Sequence, residues 1–263
     1  MSHAELERRG DVGIITLVNP PQNRISKDLV GDLERAVQEV LASDTRALVI
    51  TGGSERFSYG GDIVEWPELT QRELRALVSE ANRQFQLVEQ LPIPTIAAVC
   101  GACFGGGFEL ALHCDLIVAA HDARFRFPEA TIAVPPLAGG VQRVAERAGR
   151  ATATRLAFLS ETVTGTEAQG LGLIARTTTA DNVFEAAVAL AEQLATGPTV
   201  AFQATKALLR AWSDGGVASA DRQLLDAVDP ALGSQDFRAR ALPNAVTAFL
   251  NGTPRTAVPM EGR

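Results

Sequence analysis

Sulfur and large aromatic side chains are scarce in this 263-residue chain: three cysteines, two methionines, two tryptophans and one tyrosine. Three cysteines are too few, and odd in number, for a disulfide framework, which predicts free thiols in a reducing compartment. Cys100 and Cys103 form a C-x-x-C without a second ligand pair, whereas a structural zinc needs four ligands. Histidine is equally rare. His3 reads as part of a frayed tail, His113 and His121 flank Cys114-Asp115, and no local Ser–His–acid pattern marks a nucleophilic triad. Basic charge is in deficit: 24 Lys and Arg stand against 31 Asp and Glu, and the net charge of −7 argues against a grip on nucleic-acid phosphates. No apolar run approaches the ~18 residues of a membrane span. The first seven residues are acidic and carry no apolar signal core, which predicts a cytoplasmic protein without a membrane partner.

What is present is ordinary globular composition, 46% hydrophobic and 21% charged, so global disorder is excluded. Residues 12–18, rich in Val and Ile, predict a buried strand that Asn19-Pro20-Pro21-Gln22-Asn23 breaks. Ser26 then caps a helix with Leu29, Leu33, Val37, Val40 and Leu41 on one face. Further strands are expected at 47–51, 94–100 and 116–119, with a long amphipathic helix around 70–90 carrying Leu74, Leu77, Val78, Ala81, Phe85 and Val88. The alternation predicts an α/β chain with much parallel pairing. From about residue 182 onward only helical patterns remain, including one opened by Pro198 with Ala201, Ala204, Leu208 and Trp212 on a stripe. Such a tail needs its own α/β body or a neighbouring subunit to cover its apolar stripes.

The richest segment is Gly101-Ala102-Cys103-Phe104-Gly105-Gly106-Gly107-Phe108-Glu109. A strand ends, three glycines follow and a helix begins, so free amides sit at the positive end of a helix dipole. The Walker spacing and its lysine are absent, so the segment suits an anion or a developing oxyanion rather than a nucleotide; tight helix–strand packing alone is the simpler alternative. Glu109 directly follows, either as an exposed first-turn charge or as a partly desolvated general acid or base. Glu129, after Phe125-Arg126-Phe127-Pro128, reads as the first turn of another short helix. Phe57-Ser58-Tyr59-Gly60-Gly61-Asp62-Ile63 is a second glycine-bearing loop at an expected helix start; two such turns can converge two N–H donors.

Together these blocks resemble the crotonase superfamily, the enoyl-CoA hydratase/isomerase family. The likeness is carried by F-S-Y-G-G-D-I (57–63), the block from Pro94 through Gly105-Gly106-Gly107-Phe108-Glu109 to Leu116, F-R-F-P-E (125–129), A-G-G (138–140), and segments 164–174 and 197–206. The resemblance implies a spiral of β-β-α repeats over 1–196 holding an acyl-thioester site, and a helical trimerisation region over 197–263, giving a homotrimer or a dimer of trimers. It implies a thioester of coenzyme A, or of an acyl carrier, as substrate, and no separate cofactor or metal. The family's oxyanion amides fall on Gly61 and Gly106 and its two glutamates on Glu109 and Glu129. Tyr59, Gly60, Gly61, Asp62 and Ile63, with Gly105 and Gly106, are expected to line the substrate pocket, and Gln22-Asn23-Arg24 to approach its nucleotide end. The implied activity is enoyl-CoA hydration in fatty acid metabolism. A Δ3-Δ2-enoyl-CoA isomerase or related lyase, and a non-catalytic acyl-thioester-binding subunit, are the alternatives. Tyr59 departs from a usually small residue and Gly61 from a usual alanine, while Pro135 and Leu137 bring bulk to a wall that glycine commonly forms. The Tyr59 ring is read either as a prop beside Phe57 or as a pocket hydroxyl.

Overall fold

The apolar β-branched runs become the buried strands of a mixed sheet. The computed structural model describes residues 2–254, 256 and 258–262. Its strands are β1 (Ala4–Arg9), β2 (Val12–Leu17), β3 (Ala47–Thr51), β4 (Thr95–Val99), β5 (Ala102–Phe104), β6 (Leu116–Ala120), β7 (Arg124–Arg126), β8 (Thr162–Thr164) and β9 (Arg176–Thr178). The larger sheet runs β1-β2-β3-β4-β6-β9; only the β1–β2 edge pair is antiparallel. In register, Ile14 pairs with Val49 and Val49 with Ile96. Every residue of β3 and β4 is buried, as parallel strands covered on both faces must be.

Helices fill the connections: α1 (Lys27–Leu41), α2 (Gln71–Gln90), α3 (Gly106–Leu112), α4 (Gly140–Ala148), α5 (Arg150–Leu159), α6 (Gly165–Gly170), α7 (Val183–Ala195), α8 (Thr199–Gly233) and α9 (Leu242–Leu250). The Ser26 side chain accepts from the Leu29 amide at the start of α1, and Thr70 with Glu73 forms a capping box on α2. Helix α7 packs across β3 and β4. Within the span of α8 the backbone leaves helical geometry at Gly215-Gly216, so two helices meet there at a kink, as the separate helical stretches of the sequence predict. The buried Lys206 of α8 anchors the tail to the body, donating to the Asp115 carboxylate at 2.6 Å and to the Ile93 carbonyl at 3.0 Å.

Two expectations are corrected. The N-terminal segment is edge strand β1 rather than a frayed tail: the His3 amide donates to Asp32 at 2.6 Å, and this bond with the Arg35 guanidinium holds the Asp32 carboxyl down at about 2. Charged residues occupy most of β1's exposed edge, which protects against edge-to-edge pairing and hides the strand period. Second, Gly60-Gly61 do not start a helix. The loop runs extended, bridging Ile25 to Gly61, and a 3₁₀ turn forms only at Trp66–Glu68.

The small sheet β5-β7-β8 does the most to build the site. Strands β5 and β7 are parallel, with Cys103 opposite Phe125, and the Gly105 amide extends the pairing onto the Arg126 carbonyl at 2.9 Å. Each strand leads within five residues to a glutamate: Phe104 to Glu109, Arg126 to Glu129. On its other side β5 bridges Ser58, so the loop 57–61 lies beside the same strand end.

Candidate active site

Three chain segments therefore meet around a cavity of about 220 Å³. Its lining includes Tyr59, Gly60, Gly61, Ile63, Gly105, Gly106, Glu109 and Glu129, so eight of the nine site positions expected from sequence converge there. Asp62 does not line it; its carboxylate instead accepts from the Val64 amide within the loop, at 3.4 Å. Of the Gln22-Asn23-Arg24 turn, Arg24 alone reaches the cavity. Asn23 is buried as a brace, donating to the carbonyls of Gly52 and Phe57. Of the bulky wall, Leu137 lines the cavity and Pro135 does not.

Two N–H groups face this space without an acceptor among the described residues. In the bridge to the loop, the Ile25 amide donates to Gly60 O and the Asp62 amide to Ile25 O. The alternation leaves the Gly61 N–H unused. Gly106 opens α3, so its N–H has no helical partner either. The two segments approach closely. A Cβ on Gly60 would lie 2.7 Å from Phe104 O and 3.2 Å from Gly106 N, and Gly60 has a φ of +89°. Gly105 holds φ +48° and ψ −126°, a conformation closed to L side chains, and its Cα hydrogen leaves room for Glu129. At Gly61 the backbone is ordinary, and a Cβ would make only ordinary contacts, with Trp66 at 3.5 Å and Ile63 at 3.9 Å. Gly61→Ala is therefore expected to keep turnover within about threefold of wild type and to stabilise by about 0.4–1 kcal/mol. Steady-state kinetics and chemical unfolding check it.

The two glutamates are held differently. Glu109 is 2% exposed. Its Oε1 accepts from the amides of Ala138 at 2.7 Å and Gly140 at 2.9 Å. Burial raises its pKa, and the amides of Gly140, Ala138 and Leu137, with the Arg143 charge, oppose that rise. Glu129, in the 3₁₀ turn Glu129–Ile132, is raised to about 7, by burial first and by the charge of Glu109 second. Its Oε2 is buried without a partner among the described residues. Burial thus raises both carboxyls, backbone donors oppose the rise at Glu109, and Glu129 is poised to exchange a proton near neutrality.

Apart from Arg24 and Thr131, the rest of the lining is apolar. Leu77, Val78, Ala81 and Phe85 come from α2, and Trp66, Ile132 and Leu137 complete the wall. Their stripe on α2 is legible in the sequence, but periodicity alone reads it as core; only tertiary placement turns its half-buried part to the cavity. The Tyr59 ring packs edge-on against Phe104 at 5.4 Å rather than against Phe57, and its hydroxyl has no protein partner among the described residues. All three cysteines are free and buried, with pKa values raised by burial, and no group of three metal-ligating side chains occurs among the described residues. No helix among these residues is long and apolar enough to cross a membrane.

Comparison with known proteins finds relatives over most of the chain. A family model described as enoyl-CoA hydratase/isomerase matches residues 7–236. A 2,3-dehydroadipyl-CoA hydratase of Escherichia coli is 34% identical over 80% of this chain and 82% of its own. A short-chain-enoyl-CoA hydratase of Clostridium acetobutylicum is 30% identical over 78% of this chain and 80% of its own. The crystal structure of an enoyl-CoA hydratase from Bacillus anthracis superposes with a TM-score of 0.88 at 26% identity, covering 99% of this chain and all of that one.

Proposed function

Since the chain belongs to the enoyl-CoA hydratase/isomerase family, we propose that it adds water across the C2–C3 double bond of a 2-enoyl-CoA, or a related acyl thioester, giving the 3-hydroxyacyl thioester. The observation that carries this reading is the pairing of two buried carboxyls, one held by backbone amides and one without a partner among the described residues, beside two acceptor-free amides on a single cavity.

The thioester carbonyl oxygen accepts from the N–H groups of Gly61 and Gly106. Water lies between the carboxyls. Glu109 takes a proton from it as its oxygen bonds to C3, and the C2–C3 π pair moves toward the carbonyl oxygen. The fixed amides stabilise that developing charge by about 3–4 kcal/mol each. Glu129 then delivers its proton to C2 as the enolate collapses. The step moves one water and its protons, so it calls for no resident metal or redox group, and coenzyme A belongs to the substrate. The apolar α2 wall suits an acyl chain. Mass spectrometry against a panel of enoyl-CoAs of increasing length tests this reading. Gain of one water is the expected result; migration of the double bond at constant mass would assign an isomerase instead.

The raised pKa of Glu129 has a consequence for stability. A carboxyl whose folded pKa lies above its unfolded value costs nothing below about pH 4.5 and destabilises the fold increasingly as pH rises to about 7. Glu129→Gln removes that cost. It is expected to raise unfolding free energy by about 1–3 kcal/mol at pH 8 and to leave it nearly unchanged at pH 4.5, read by denaturant titration. The same gain at both pH values would remove ionisation as its cause. In hydration, kcat/KM is expected to fall above about pH 7 as Glu129 loses the proton it delivers.

Assembly and location belong to the same proposal. Leu209, Leu225, Phe249 and Leu250 are 60%, 76%, 77% and 75% exposed on the 197–263 helices. Burying them between copies gives a homotrimer or a dimer of trimers, and the free thiols fit the cytoplasm. Truncation after residue 197 is expected to yield aggregate or monomer in sedimentation, because it removes these faces and also strips Asp115 of Lys206. A soluble truncated form that sediments as the same oligomer would refute this role.

A further inference from the structure

We propose that Arg143 is a positioning residue for Glu109, holding the backbone cradle that receives this carboxylate. The inference rests on the proposed role of Glu109 as base and adds a residue that touches neither substrate nor the reacting atoms.

The geometry is a chain of contacts through a single peptide group. Arg143 lies one turn into α4. Its Nη1 bends back to donate to the Gly139 carbonyl at 3.0 Å. That carbonyl shares its peptide unit with the Gly140 N–H, which donates to Glu109 Oε1 at 2.9 Å. A cation on the oxygen side of a peptide polarises it and strengthens the donor on its nitrogen side. The other two guanidinium nitrogens are engaged by Glu89 of α2: Nε donates to one carboxylate oxygen at 2.9 Å and Nη2 to the other. The fork fixes the direction of Nη1, which a flexible ammonium does not do. The Arg143 side chain is only 13% exposed, so its field is weakly screened.

The charged and titratable groups packed around Glu109 do not supply an equivalent. On its own helix, His113 is neutral, with a pKa lowered to about 4 by burial, and its Nδ1 meets the Glu109 carbonyl at 2.7 Å. From α4, Arg147 turns away to the carbonyls of Leu112 and Cys114. From α2 comes Glu89, already paired with Arg143, and from the 3₁₀ turn comes Glu129, whose charge opposes ionisation of Glu109. Arg143 is the cation that acts through the cradle.

The test is a carbon-13 NMR titration of the full-length protein labelled at glutamate carboxyls, with the Glu109 resonance assigned by its loss in Glu109→Gln. Arg143→Gln is expected to make Glu109 a roughly tenfold weaker acid. Arg143→Lys retains charge but loses the fork, and is expected to give a smaller shift in the same direction. In turnover at pH 7, kcat is expected to fall by about 3–10-fold in Arg143→Gln, with KM within about twofold. If Arg143→Gln does not fold, Arg143→Lys carries the test alone. Unchanged Glu109 titration in the folded variants overturns the proposal, whatever the activity. Absence of hydration by the wild type, with the titration shift present, overturns the functional reading and leaves the positioning role standing.

Discussion

Glu109→Gln and Glu129→Gln are each expected to lower hydration turnover by about 10²–10⁴-fold, the contribution of a positioned general acid or base. The two losses have different physical origins. At Glu109 the substitution exchanges an oxygen-only side chain for an amide inside a cradle of donors: the amides of Ala138 and Gly140 both aim at Oε1. A glutamine oxygen can still accept from them, so the fold survives, but a neutral amide does not take a proton from water. At Glu129 the substitution removes the proton delivered to C2, and there the buried Oε2 has no protein partner among the described residues to lose. Glu129→Gln is therefore expected to be inactive and yet more stable at pH 8, a divergence that simple unfolding does not produce. Rates from single-turnover assays and melts on the same preparations check both. Near-normal hydration by Glu109→Gln would remove it from the chemistry.

Gly60→Ala is expected to reduce turnover by about 10²–10³-fold, comparable to the loss of an oxyanion-hole donor. The added methyl group enters between the two segments that supply the amides, 2.7 Å from the Phe104 carbonyl oxygen. That obstacle is backbone, so no rotamer change relieves it, and the left-handed φ of +89° adds strain of about 1 kcal/mol. The loop must shift away from β5 and carries the Gly61 N–H with it. The neighbouring Gly61→Ala meets neither obstacle. Adjacent glycines with opposite outcomes separate donor geometry from a general intolerance of the loop, and kcat for a saturating enoyl-CoA reads the difference.

Much of this site was readable because its devices are local. A glycine run between a strand and a helix exposes amides wherever it occurs, and Glu109 and Glu129 stand at short, fixed offsets from β5 and β7. The resemblance to the crotonase superfamily then joined segments that periodicity could not join. What stayed hidden depends on contacts across the chain. Strand β1 is obscured by charges on an exposed edge. The Gly60-Gly61 loop looks like a helix start because glycine pairs serve both turns and helix entries, and only the bridge to Ile25 shows it to be extended. Asp62 sits inside a motif whose backbone lines the cavity, yet its own side chain serves the loop. The α2 wall meets the motif residues only through tertiary packing, and Arg143 and Glu89 of the fork are 54 residues apart, beyond any local pattern.

The most direct measurement is hydration of a short 2-enoyl-CoA in water enriched with heavy oxygen, followed by mass spectrometry of the products. The expected product is a 3-hydroxyacyl-CoA carrying one heavy oxygen at C3, formed by the wild type and lost in Glu109→Gln. A product with a shifted double bond and no heavy oxygen, or no turnover across the whole panel of chain lengths, would contradict the assignment of water addition to this pair of glutamates.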